Sequence, residues 1–413
     1  MDNRILPFIS RYLPVLDQLL ISSKKFTLRR WYNLRCKNRL YFRDTAVKVI
    51  NCNHPEYSSI KCKEVWYKEG KVHRDDVDPS TGLTLPAEIK ANVTQIWYKE
   101  GQEHRDEKDA STGFTLPAII WADGAQFWYK EGKQHRDEKD PLTGLTLPAY
   151  IRADGGQFWY KEGKRHRDDV DPSTGLTLPA VISPDGRQIW YKEGKEHRDD
   201  VDPETGLTLP AVIWADGRQW WYKEGKLHRD EVDPETGLTL SAIIEANGTQ
   251  TWYKEGKEHR DDVDPVTGLT LPAVIDEDGT QYWYKEGKQH RDDVDPSAGL
   301  TLPAKIGANG TQEWYKEGKL HRDEVDPETG LTLPAQILPD GRQEWYKEGK
   351  LHRDDVDPSI IGADGTQYWY KEGKLHRDDV DPSTGLTLPA KIRVDGRQVW
   401  YQEGSQQEPL VPN

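Results

Sequence analysis

Over most of the chain, apolar and polar residues alternate in short spans, and the same span keeps returning. Trp-Tyr begins at Trp66, Trp97, Trp128, Trp159, Trp190, Trp221, Trp252, Trp283, Trp314 and Trp345, always 31 residues apart. It returns 24 residues later at Trp369 and 31 after that at Trp400. Self-similarity at a fixed period of this size marks an array in which each unit packs on its neighbours. The unit reads WYKEGKxHRD(D/E)VDPxTGLTLPAxIxADGxQx. Glu-Gly after WYK, and Asp-Gly or Asn-Gly after xIxA, are tight-turn signals between spans rich in β-branched and aromatic residues. They predict antiparallel hairpins, and no apolar period of 3.6 competes with them. One strand is expected over xQxWYK and the next from KxHRD to PAxIxA.

The unit between Trp345 and Trp369 is seven residues short, and the gap aligns with TGLTLPA of its neighbours. Register resumes at once. A change by one strand would turn every later side chain to the other face, so the missing piece is a local excursion. Two strands per unit follow, with DPxTGLTLP as a loop or bulge, where the proline of LPA fits. At about 4.8 Å per strand the array advances roughly 10 Å per repeat. The expected fold is mainly β: an elongated single-layer antiparallel meander or solenoid of hairpins over 66–404. It follows a small α-helical segment (1–45) and a connector (46–65), and ends in a disordered tail (405–413). Columns of Trp, Tyr, His and Arg line up along it, and cross-strand pairs stabilise it.

The frame WYKEGKxHR…PAxIxADGxQ, with its 24-residue short form, resembles the MORN-type repeat in its WYxxGKxHR variant, found in giant DNA viruses. The resemblance covers residues 66–404 and implies β-hairpins serving as a binding or scaffolding platform, with no catalytic residues.

Composition agrees with a thin, aromatic-lined structure. Hydrophobic residues make up 35% of the 413, charged residues 31%, and there are 16 Trp and 19 Tyr. The net charge of −14 is uneven: residues 1–65 hold 13 Lys and Arg against 5 Asp and Glu, a balance of +8, so the remainder carries −22. Such an acidic body disfavours nucleic acid and anionic lipid. Cys36, Cys52 and Cys62 all precede residue 66. No disulfide framework is expected, and the expected setting is the cytoplasm, or a host cytoplasm or virion if the chain is viral. The apolar run ILPFISRYLPVLDQLLI is broken by Arg11, Asp17 and two prolines, so it reads as neither signal peptide nor membrane span.

Residues 196–203, EHRDDVDP, raise two chemical readings. A kinase catalytic loop needs one His-Arg-Asp and an Asn four residues on. Here the triplet occurs eleven times and Pro203 stands four residues beyond Asp199. No catalytic residue is assigned and an enzyme is not expected. The acidic run reads either as calcium ligands or as a turn opened by Asp202-Pro203 and closed by Gly206, with Arg198 on a neighbouring carboxylate. The D-x-(D/N)-x-(D/N)-G pattern is not met, which favours the turn. The histidines read as a column of neutral, hydrogen-bonded imidazoles or as a pH-sensitive ladder. Cys36, Cys52, His54 and Cys62 lack the spacing of a zinc site, so no metal and no cofactor is assigned.

If recurring positions build the array, recognition belongs to those that vary. The residue before Trp-Tyr is Phe127, Phe158 and Trp220 but later Glu313 and Glu344; the residue after the Ile of PAxI is Trp121 and Trp214 in two repeats. Strand alternation puts Trp121, Phe127, Tyr150, Phe158, Trp214 and Trp220 on one face, as an expected exposed partner-binding patch. The N-terminal stretch, with Ile9, Tyr12-Leu13-Pro14, Asp17, Leu20, Ser23 and Lys25-Phe26, resembles a degenerate F-box. That implies docking on a Skp-type ubiquitin-ligase adaptor through Ile9, Leu13, Pro14, Asp17 and Leu20; the competing reading is a basic helical cap. The expected function is a non-enzymatic scaffold for protein partners. A structural rod that self-assembles and a calcium-dependent assembly protein are the alternatives.

Overall fold

The computed structural model describes residues 38–43, 46–51, 63–354 and 356–408. The expected N-terminal helix and its adaptor-binding residues lie outside the described residues. The chain divides into two compact units, Met1–Asp200 with Ala211–Ala215, and Val201–Pro210 with Asp216–Asn413. The first begins with three antiparallel strands: β1 (Asn38–Arg43), β2 (Ala46–Asn51) and β3 (Lys63–Lys68). Asn38 pairs with Asn51 and Ala46 with Lys68. These strands fall within the stretches read from sequence as the end of a helical segment (to 45) and a connector (46–65).

Each unit is a meander of repeated hairpins. In the repeat starting at Trp97, Ile119–Ile120 pairs with Gln126–Phe127 across the ADG turn, and Phe127 pairs onward with Tyr150 of the next repeat. Two ladder strands per repeat thus recur as expected. The strand expected over xQxWYK is continuous through Trp66 and Trp400 but broken at the tryptophan in the repeats between them. Tyr98–Lys99 turns back on Gln102–Glu103 as a separate hairpin, because the Trp97 N–H goes to the Ala118 carbonyl at 2.8 Å and that of His104 to the Trp97 carbonyl at 3.2 Å. The strand expected from KxHRD to PAxIxA is likewise two short strands with a loop between them.

That loop is a hairpin of its own. The Asp109 N–H donates to the Phe114 carbonyl and Gly113 to Asp109, each at 2.8 Å, and Lys108 bridges Thr115. The short repeat shows what can be removed. Trp345 bonds the Ser359 carbonyl at 2.9 Å, Arg353 reaches that of Pro358 at 3.2 Å, and the Trp369 indole reaches that of Val356 at 2.8 Å. Val356, Pro358 and Ser359 therefore occupy the places of Thr, Pro and Ala in TLPA. The missing seven residues are the VDPxTGL hairpin rather than TGLTLPA, since a hairpin cut at its stem leaves the partners of both tryptophans in place.

The core is thin and regular. The tryptophans that open WYKEG, from Trp66 to Trp369, are 5–7% exposed and the alanines of LPA at most 1%. The loops close over the indoles, so the expected single layer has a cover. In the WYKEG turns both central residues have positive φ, 53° at Glu100 and 86° at Gly101, as a type I′ turn requires. The glutamates of these turns all lie between 49° and 53°. Val93 is a different case. It has φ 64° in a turn where the next repeats place Gly124 and Gly155, and a β-branched residue there is strained. Val93→Gly is expected to raise stability by about 1 kcal/mol, read as a shift of the denaturation midpoint.

Candidate interaction face and the joints between repeats

Two sets of side chains join each repeat to the next. The first is a clasp around one threonine. The Trp97 indole N–H donates to the Thr84 carbonyl at 2.9 Å. The Thr84 N–H and hydroxyl both donate to the Glu107 carboxylate, at 2.6 and 2.8 Å. Arg105 donates to the same carboxylate at 3.1 Å and to the Pro117 carbonyl at 3.4 Å, with its guanidinium 3.9 Å from the Trp97 ring centre. All three polar groups of Thr84 are thus held by the following repeat. Burial pushes the Arg105 guanidinium below its ordinary range, against its bond to Glu107. The same pieces recur at Trp159 with Thr146, Asp169 and Arg167, and at Trp252 with Thr239, Asp262 and Arg260. Each Arg–Trp stack contributes about 1 kcal/mol.

The second joint runs through histidine. His104 Nδ1 accepts the N–H of Glu131 in the next repeat at 3.0 Å, while Nε2 faces Asp106 at 2.5 Å. With Nδ1 as the acceptor, Nε2 is the nitrogen that faces the Asp106 carboxylate as donor. Lys133 pairs with Glu162 of the next repeat at 2.9 Å, and His135 Nδ1 accepts the Glu162 N–H at 3.1 Å. These bonds give a physical reason for the positive-φ glutamates. A glycine there would relieve strain of about 1 kcal/mol but would lose the carboxylate that the lysine holds.

The EHRDDVDP stretch is thereby resolved into separate roles. Asp199 takes Lys192 at 2.6 Å and His197 at 2.7 Å; Asp200 takes Thr177 and Arg198. Asp202 accepts the N–H groups of Glu204 and Thr205 at 2.8 and 3.0 Å, and Gly206 donates to its carbonyl at 2.8 Å. This is the Asp-Pro turn. Among the described residues, no group of three or more His, Cys, Asp or Glu is placed to hold a metal ion. Cys36, Cys52, His54 and Cys62 lie outside them.

The variable positions form one row in register. In the first unit Ile96, Ile119, Phe127, Tyr150, Phe158, Val181, Ile189 and Val212 are successive cross-strand partners. Trp121 lies 4.8 Å from Phe127, Phe127 stacks on Tyr150 at 4.2 Å, and Tyr150 on Phe158 at 4.7 Å. Arg165 continues the row, 5.9 Å from Phe158 and 5.2 Å from Tyr191, whose hydroxyl it reaches at 3.0 Å. Burial, and the bond to Glu196, push the Tyr191 phenol up to about 12.

This corrects the expected exposed patch. Phe127 and Phe158 are buried, Tyr150 is half-buried, and Trp121 is the exposed member of the stack at 47%. Direct cross-strand neighbours are close enough for rings to cover each other's faces. Trp214 is half-buried. Trp220 belongs to the second unit, where its indole donates to Glu245 at 3.2 Å and its ring lies 6.4 Å from Tyr222. Within the second unit the corresponding positions include buried charged residues. Glu313 is held by Lys305 at 3.2 Å, Gln336 at 2.8 Å and Tyr315 at 3.0 Å. Glu344 is held by Arg342 at 2.5 Å and Tyr346 at 2.7 Å. Sequence reasoning singled out these glutamates but missed Lys305 and Gln336, the x residues of PAxI directly opposite Glu313.

No family model matches this chain, and no curated protein matches it.

Two outcomes follow. Asp169→Ala leaves Thr146 and Arg167 facing a lost carboxylate in a buried setting, a cost of about 3 kcal/mol. It is read as loss of amide-exchange protection around residues 140–170. The joints also fix the acid response. Lys161 and His166 hold the Asp168 carboxyl below its ordinary range, as Lys254 and His259 hold Asp261. The Ser111 hydroxyl and the Thr112 N–H bring Asp109 down to about 2. A carboxyl depressed in the folded state contributes stability above its unfolded pKa and loses it as pH falls through the folded one. Stability should therefore fall between about pH 4 and pH 2, followed by circular dichroism in an acid titration.

Proposed function

We propose that this chain is a non-enzymatic repeat scaffold of MORN type, which binds protein partners along its variable row. The observation that carries this reading is the division of labour between positions. Trp, His, Thr and the clasp carboxylate commit polar groups to the neighbouring repeat and Arg braces the clasp within its own, while the row of variable positions is aromatic and aliphatic from Ile96 to Val212 in the first unit and gains charged members in the second. A fixed frame with a variable row is how arrays of this kind present partner-specific surface. Trp121 is the anchor of the reading, as a large exposed aromatic supported from behind by three stacked rings.

The test is affinity capture of the whole chain from the cells that make it, followed by mass spectrometry. Trp121→Ala should lose a protein that the parent and Leu142→Ala both retain, Leu142 being 94% exposed and off the row. Identical captured sets would remove the row as the binding surface. The adaptor-recruiting extension of the reading rests on Ile9, Leu13, Pro14, Asp17 and Leu20. Under it, Leu13→Asp with Leu20→Asp in the full chain abolishes retention of a Skp-type adaptor.

A further inference from the structure

Two irregularities meet in the second unit, at the turn that carries Gly307 and Thr311. In the two preceding repeats, the threonine of this turn accepts an N–H from the turn that follows. Thr249 takes that of Glu277 at 3.2 Å, and Thr280 that of Ala308 at 3.1 Å. The residue at the same spacing from Thr311 is Pro339, which has no N–H to give. Thr311 is 7% exposed and donates its own N–H to Asn309 Oδ1 at 3.0 Å. Its hydroxyl has no partner among the described residues.

The second irregularity makes room beside that hydroxyl. The position after the Ile of PAxI holds Glu245, Asp276 and Leu338 in neighbouring repeats but Gly307 here. Asp278, Thr280, Tyr282, Lys305, Asn309 and Thr311 line the resulting recess, of about 480 Å³. That is inside the range of roughly 300–1,000 Å³ typical of small-molecule sites. A Cβ on Gly307 would stand 2.7 Å from Asn309 Oδ1 and 3.3 Å from Thr311 Cβ, so a side chain there closes the space. Tyr282 has Val274 and Lys305 as its ladder partners, and its ring is not stacked as that of Phe127 is. Lys305 Nζ lies 5.8 Å from the Tyr282 ring centre and 3.2 Å from Glu313 Oε1.

We propose that this recess binds one ring of a neutral saccharide. A sugar hydroxyl both donates and accepts, and the walls supply each kind of partner. The Lys305 ammonium and the Asn309 amide donate, the Asp278 carboxylate accepts, and the Thr311 hydroxyl does both. The C–H face of a pyranose lies against the electron-rich face of an aromatic ring, which Tyr282 offers. Charge selects against ions: Lys305 is already matched by Glu313, so an anion would meet Asp278. Among the described residues, no group of three His, Cys, Asp or Glu is placed to hold a metal ion. The saccharide goes beyond the protein partner proposed for Trp121, which lies in the first unit, and neither depends on the other.

The experiment is saturation-transfer NMR of the purified full chain with maltose, cellobiose, lactose and diacetylchitobiose as probes. At least one is expected to bind, with a dissociation constant on the order of 1 mM. Gly307→Glu should weaken that binding by at least about tenfold. The variant is expected to fold, because it writes the IEANGTQ of residues 244–250 into residues 306–312. Thr311→Val should weaken binding too, and it decides alone should Gly307→Glu lower the unfolding midpoint. Gly362→Glu is the control and should leave binding unchanged, since Glu344 and Ile360 stand there in place of Tyr282 and Lys305. Absence of signal from every probe overturns the proposal, as does binding that Gly307→Glu and Thr311→Val leave intact. No captured partner takes part in the measurement, so its failure leaves the Trp121 result standing.

Discussion

Everything in the repeat is arranged around an indole that must be covered on both faces and bonded at its nitrogen. A chain with so little aliphatic material has no thick core in which to bury tryptophan. The frame solves this locally. The guanidinium of the same repeat covers one face of the ring, the preceding loop offers a threonine carbonyl to the indole N–H, and one carboxylate binds both guanidinium and threonine. Buried charge is tolerable only when its hydrogen bonds are met, and here the arginine meets a carboxylate, a proline carbonyl and a ring at once. The loop is therefore part of the core, although it reads as an excursion from the sheet.

This explains how far the sequence alone could be read. The period, the hairpin turns, two ladder strands per repeat and the Asp-Pro turn of EHRDDVDP were legible because turn chemistry and alternation are local signals. The break at tryptophan in the repeats from Trp97 to Trp369 was not. It depends on the backbone N–H of Trp97 finding Ala118, 21 residues away, and no local pattern encodes that. The clasp was half legible: Arg198 was expected on a neighbouring carboxylate, but the threonine of the previous repeat is 23 residues back and carries no signal of its own. The alignment of the seven missing residues failed for a related reason. TLPA and VDPS share a proline, and only the bonds of Trp369 and Arg353 show which proline is kept.

The variable row shows a similar limit at the candidate site. Alternation placed Phe127, Tyr150 and Phe158 on one face correctly, yet a shared face is not an exposed face. Strand partners about 5 Å apart bring large rings into contact with each other before they can meet a partner, so a run of aromatics becomes self-covering and only its end stays open. Glu313 and Glu344 make the complementary point. Read singly they are charges in an aromatic column; with Lys305, Gln336 and Arg342 they are buried pairs that keep the register without aromatic mass. The row thus tolerates aromatic, aliphatic or ionic solutions, provided that each residue agrees with the one across the strand.

That requirement limits where the molecule can vary. A substitution in the clasp or the histidine joint breaks bonds to the adjacent repeat, and one in the row must be matched across the ladder. The tips of the loops and the ends of ring stacks have neither obligation. In a structure where each repeat contacts only its neighbours, removing a whole loop hairpin changes one joint and leaves the next in register. The short repeat is that case. Loss of the hairpin immediately before Val356 keeps the Trp345 and Trp369 bonds and leaves Arg377 and Asp379 more open. Irregularity in this array therefore disturbs the fold little and stays confined in space, which is the condition under which a regular frame can acquire a specific site.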